Sequence, residues 1–279
     1  MRKLTLLLPL LGLLSLLAGC SVARLPDTSA NPFGGAAGTM MALPATRVQL
    51  GRTGIKFGPY QTSEVRRGWT NTREGGQVPL RPGASGSAVL DVLNLPYAQR
   101  LTTENSKLQF RIQDDQARTA EVYTTTKVVT QAVEARVPLL GQLDPELMSK
   151  STETFNGIIV GPKIGETNAW NLLIVTTNRT DFDRNNLAPV IGLLGDEDQV
   201  LLRLRLVPHG PIITKDGRSL PWPAPSIPGG IEILHQERRI GYIDYSVARP
   251  FFWLRDDLTP ELRFLTATTM ATVFMKPER

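Results

Sequence analysis

The chain has 279 residues, with 31 Lys and Arg against 26 Asp and Glu, two histidines and one cysteine. A single cysteine excludes an intramolecular disulfide and a thiolate metal cluster, so the fold must stand on its core. The formal charge of +5 falls to +3 without Arg2 and Lys3, and the remaining charges are interspersed, with no block suited to nucleic acid.

Residues 1–19 read as a signal peptide. Arg2 and Lys3 precede an apolar run from Leu4 to Leu17, which carries Pro9 and ends in small residues. A transmembrane helix needs about 20 apolar residues, and this run is shorter. Its end, Leu17-Ala18-Gly19-Cys20, resembles the lipobox of bacterial lipoprotein precursors, a resemblance confined to residues 1–20. The resemblance implies cleavage before Cys20, diacylglycerol on its sulfur and a fatty acyl chain such as palmitate on the new amino terminus. Each buried methylene contributes about 0.8 kcal/mol, so two or three chains hold a protein on a bilayer where one holds only marginally. In such lipoproteins the next residue helps choose the membrane. Ser21, in place of an aspartate, implies the outer membrane, facing the periplasm.

Residues 20–48 are rich in Ala, Gly, Pro, Ser and Thr without a sustained period, and read as a lipid-anchored flexible tether. Its root-mean-square reach is on the order of 30 Å. Residues 49–279 are expected to form a mostly β globular domain, as one body or two packed lobes.

Strand patterns begin with GIKFGPY at Gly54 and SAVLDVL at Ser87. In KLQFRIQ, Leu108, Phe110 and Ile112 alternate with Lys107, Gln109, Arg111 and Gln113, the pattern of an antiparallel sheet with one wet face. The long Thr-rich stretch from Ala120 to Val137 suits a bent strand or an edge. LDPELMSK, from Leu143, suits a short helix. Further strands are expected at FNGIIVG, AWNLLIVTT, VLLRLRLVP, GIEILHQ and IGYIDYSV. SLPWPAPSIPGG, from Ser219, has too many prolines for a sheet interior. It reads as a surface loop in which Trp222 is either a recognition knob or a plug for the core. Near the carboxyl end, Thr259 can cap a helix that has Pro260 at its first position and Glu261 at the positive end of its dipole. Leu262, Leu265, Met270, Val273 and Phe274 would then form a stripe docking on the sheet, although the threonine run also suits a strand. The expected fold class is therefore mainly β, with antiparallel, sandwich-like sheets, a C-terminal helix and few others.

Signatures of chemistry are sparse. His209 and His235 lie in or beside predicted strands. Asp181, Asp183 and Asn185 alternate as at the start of a calcium loop, but Asn186 and Gly192 stand where an EF-hand needs glycine and glutamate. GASGS, from Gly83, lacks the second glycine of a nucleophile elbow. Neither a zincin motif nor a phosphate-binding glycine loop is present. No cofactor pattern and no metal site stands out, and Cys20 is the one modification site. The expectation is a lipid-anchored cell-envelope protein with a noncatalytic binding or scaffold role, its partner being another envelope protein or the cell wall. The alternatives are an envelope hydrolase using Asp181, Asp183, His209 or His235, and a carrier that encloses a small ligand.

Overall fold

The computed structural model describes residues 31–43, 54–75, 78–79, 97–137, 141–142, 149–179, 191–196, 199–208, 212–213, 219–220, 228–245 and 250–276. Strand β1 (Gly38–Ala42) is followed by five short ones, β2 (Lys56–Phe57), β3 (Tyr60–Thr62), β4 (Arg66–Arg67), β5 (Asn71–Glu74) and β6 (Val78–Pro79). Four long strands carry the middle of the chain. They are β7 (Tyr97–Gln113), β8 (Thr119–Val137), β10 (Ser149–Ile164) and β11 (Thr167–Arg179), with a short β9 (Gly141–Gln142) between them. Then come β12 (Ile191–Gly195), β13 (Val200–Pro208), β14 (Ile212–Ile213), β15 (Ser219–Leu220), β16 (Pro228–His235), β17 (Arg238–Asp244) and β18 (Phe251–Arg255). Helix α1 (Pro260–Phe274) closes the series.

The mainly β, antiparallel character and the C-terminal helix agree with the alternation read from the sequence. All the strands except β14 and β15, which pair only with each other, form one continuous antiparallel sheet curled almost into a barrel, in place of the two faces of a sandwich. The order runs β1-β18-β17-β16-β13-β12-β11-β10-β8-β7-β3-β2, and β4, β5 and β6 follow one another along β7. The two ends of this order meet through side chains. Phe57 of β2 packs edge-on against Phe252 of β18 with ring centroids 4.9 Å apart, and the β2–β3 turn at Gly58 lies against Met41 of β1.

What replaces the second sheet is the helix. From Phe264 to Met275 every residue of α1 and its cap is buried, so the helix lies inside the curl and does not merely rest on it. The apolar stripe read from the sequence is buried from Leu265 onward, with Leu262 partly so, and the threonine face is buried as well. Thr266, Thr268, Thr269 and Thr272 each donate their hydroxyl to the carbonyl four residues earlier, at 2.7–2.9 Å. A threonine so bonded shows only its methyl to the surroundings, and a helix apolar on all sides belongs in an interior. Gly241 of β17 lets the helix come close, since a Cβ there would sit 3.0 Å from the Thr266 methyl. Lys276 fixes the far end to Glu153 of β10 at 3.0 Å.

Two elements differ from the sequence reading. Residues 31–43, which composition assigned to the tether, belong to the fold. Phe33 is buried, and β1 pairs with β18 from Gly38 opposite Arg255 to Ala42 opposite Phe251. The Thr-rich stretch expected to bend or lie at an edge is the unbroken central strand β8, paired along its length with β7 and for much of it with β10. Its even-numbered residues from Ala120 to Val128 are buried, so the threonines at 124 and 126 pack inward as small branched side chains.

Candidate docking face

The long strands hold two surfaces of opposite character. Inward, Leu108, Phe110, Ile112, Val122, Phe155, Ile159, Trp170 and Leu172 join the core around α1. Outward, β7 and β8 present Lys107, Gln109, Arg111, Glu121, Tyr123, Thr125 and Lys127. Glu121 is held by Arg111 at 2.6 Å.

Beside them, at the margin of the sheet, β4 and β5 pair with β7 in two registers. Arg67 stands opposite Leu108 and Asn71 opposite Asn105, so four steps along one strand match three along the other. The extra residue is a β-bulge, a device that re-aims side chains at sheet margins. Gly68 opens it, donating its N–H to the Lys107 carbonyl at 2.9 Å, and Trp69 follows with 95% of its surface exposed. Register places Arg66 opposite Gln109, Arg73 opposite Thr103 and Lys127 opposite Asn105, on the same outer face as Lys107. These four cations therefore lie along the strand on either side of the Trp69 position, spread over about 20 Å at about 3.3 Å per residue. None of the four has an acidic partner among the described residues.

The outer face continues across β10 and β11 as an apolar stripe. Tyr123 stands opposite Ile158, and Leu173 lies on the diagonal from Ile158, with Val160 and Val175 at either end. All five are more than a third exposed. Diagonal neighbours of this kind are near enough for large side chains to form one surface.

Cys20, Asp181, Asp183, Asn185, His209, Trp222, the GASGS turn and the proposed helix at LDPEL lie outside the described residues. His235 is half-buried, and its Nδ1 is 3.0 Å from the Leu201 carbonyl. No hydroxyl or carboxylate hydrogen-bonds to its ring among the described residues. Asp256 and Asp257 brace the approach to α1, where Asp256 receives Arg263 at 3.1 Å and Asp257 receives Arg255 at 2.9 and 2.8 Å and Arg238 as well. The Arg255 hydrogen bonds, aided by Arg238, hold the Asp257 carboxyl well below the usual carboxylate range. Glu232, although only 2% exposed, is paired with both Arg205 and Arg239, and Arg239 also donates to the Pro32 carbonyl at 2.6 Å.

Two hollows open in the surface of the described residues. A depression of about 580 Å³ beside the start of α1 is lined by Arg118, Lys163, Glu261 and Phe264 among others. Its cations are already engaged, Arg118 by Asp114 at 2.6 Å and Lys163 by Glu166 at 3.5 Å. A smaller one of about 110 Å³ lies between Arg67, Glu104, Lys107 and Glu153. Among the described residues no three His, Cys, Asp or Glu side chains gather as a metal site would need, and no helix is long and apolar enough to cross a membrane.

Sequence reading passed over Trp69 and chose Trp222. The signal was present in the stretch from Arg66 to Arg73, RRGWTNTR, where a glycine precedes a tryptophan flanked by cations on a segment too short and polar to bury it. What it lacked was the partner strand, since only pairing with β7 reveals the bulge and adds Lys107 and Lys127. No family model, curated protein or solved structure matches the chain.

Proposed function

We propose that this is a lipid-anchored cell-envelope protein with a noncatalytic binding or scaffold role, fixed through acyl chains on Cys20 to the outer membrane and facing the periplasm. The observation that carries the binding role is the filled interior. With α1 occupying the curl of the sheet, what the described residues can offer a partner lies on the outside, where Trp69, the cations beside it and the apolar stripe are exposed. Solvent-exposed tryptophan and arginine are the residue types that dominate binding energy at interfaces.

The address rests on the lipobox resemblance at Leu17-Ala18-Gly19-Cys20. The described fold begins at Asn31, which leaves eleven steps from Cys20, a reach on the order of 20 Å for a flexible chain. Cells grown with labelled palmitate should yield labelled wild-type protein and unlabelled Cys20→Ala. An unlabelled wild-type protein would remove the anchor. Turnover of peptidoglycan or esters by the purified protein, abolished by a single substitution, would remove the noncatalytic role.

A further inference from the structure

We propose that the outer face centred on Trp69 is itself a docking site for an anionic lipid bilayer, so that the barrel lies with the β4, β7, β8, β10 and β11 side against the membrane surface. The proposal deepens the envelope reading and takes from it only that a bilayer is nearby. The recognition chemistry belongs to the face and needs no acyl chain.

Charge complementarity is the first argument. Arg66, Arg73, Lys107 and Lys127 stand on one face without acidic partners among the described residues, and the single acid on the outer faces of β7 and β8 in the described stretch, Glu121, is taken by Arg111. Each cation brought to an anionic lipid surface raises partitioning about fivefold, so four act together strongly even though each is weak.

The second argument separates a bilayer from a soluble polyanion. A nucleic acid or acidic polymer in water would engage the cations and leave Tyr123, Ile158, Val160, Leu173 and Val175 wet. A bilayer offers phosphates and, just beneath them, an apolar layer. The face carries both chemistries, a cationic band beside an exposed apolar stripe on the same side of the sheet. Trp69 is held out by a bulge at the centre of the band, as suits an indole at headgroup depth, where its ring is apolar and its N–H stays hydrated.

A chain starting at Ser21 tests this without the lipid, because β1 through α1 lie wholly within residues 31–276. Sedimentation with phosphatidylcholine vesicles containing one-third phosphatidylglycerol should carry the protein down, and vesicles of phosphatidylcholine alone should not. Binding should disappear in high salt, where exposed charges are screened. The double change Arg66→Gln and Lys107→Gln should lower partitioning about 25-fold, and both positions are exposed, so an unchanged melting temperature will show that the fold persists. Trp69 emission should shift to the blue on the anionic vesicles, a shift that Trp69→Phe abolishes. The proposal is overturned by absence of binding at low salt, by equal binding to neutral vesicles, or by binding to a soluble polyanion with no vesicle-induced shift. Since Cys20 is missing from this chain, none of these outcomes depends on whether the native protein is acylated.

Discussion

Tyr242 shows how a single side chain records its surroundings. It lies opposite Glu232 on the neighbouring strand, and Gly230 leaves room for its hydroxyl, because a Cβ at that position would sit 2.4 Å from the oxygen. Burial, reinforced by the nearby Asp244 carboxylate, opposes a phenolate and pushes its pKa up to about 12, against the lowering pull of Arg239. The unfolded phenol ionises near pH 10, so the folded chain binds this proton more tightly. Its contribution is complete below pH 10 and is lost as the pH rises through about 12. Thermal melts taken across that window should fall less steeply for Tyr242→Phe than for the wild type. Tyr60, shifted the same way by burial, leaves part of the slope in place. An unchanged slope in Tyr242→Phe would mean that the phenol is solvated.

Among the elements, the full burial of α1 and the central position of β8 were not legible in the sequence, and for the same reason. Threonine counts as polar in a periodicity search, yet four hydroxyls of α1 are satisfied by their own helix, and the inward threonines of β8 present methyl groups. The cap at Thr259, the first-turn proline and Glu261 were legible because capping is local chemistry. Being enclosed on every side is not local. Two substitutions separate these effects in urea denaturation. Gly241→Val drives a branched side chain into Thr266 and Met270 and should cost about 1–3 kcal/mol. Thr268→Val removes a hydroxyl that bonds only its own helix and should cost less than about 1 kcal/mol. If Gly241→Val were as mild as Thr268→Val, the helix would not be pressed against β17.

At the scale of the whole molecule, the curl of the sheet and the helix within it depend on each other. Phe264 faces Tyr60, and Phe274 meets Phe252, so aromatic contacts radiate from α1 to β3 and β18 on either side of the seam. Without the helix the wall has nothing to close around. A chain ending at Leu258 should lose near-ultraviolet dichroism and bind a hydrophobic dye at room temperature, as a collapsed chain without fixed packing does. Native-like dichroism in that shortened chain would show that the sheet can close on its own side chains.

From sequence alone came the alternation that makes antiparallel strands and the helix start at Thr259, because each depends on neighbours within a few residues. The Trp69 site was half visible in the same way, as cations around an indole, while its outward aim and the contribution of Lys107 and Lys127 were not. Tertiary structure decided those, together with the single curled sheet, the early entry of residues 31–43 and the buried threonine face of α1. All of these rest on which strands become neighbours, and pairing between residues far apart in the chain is set by how the whole surface is buried and not by any local pattern.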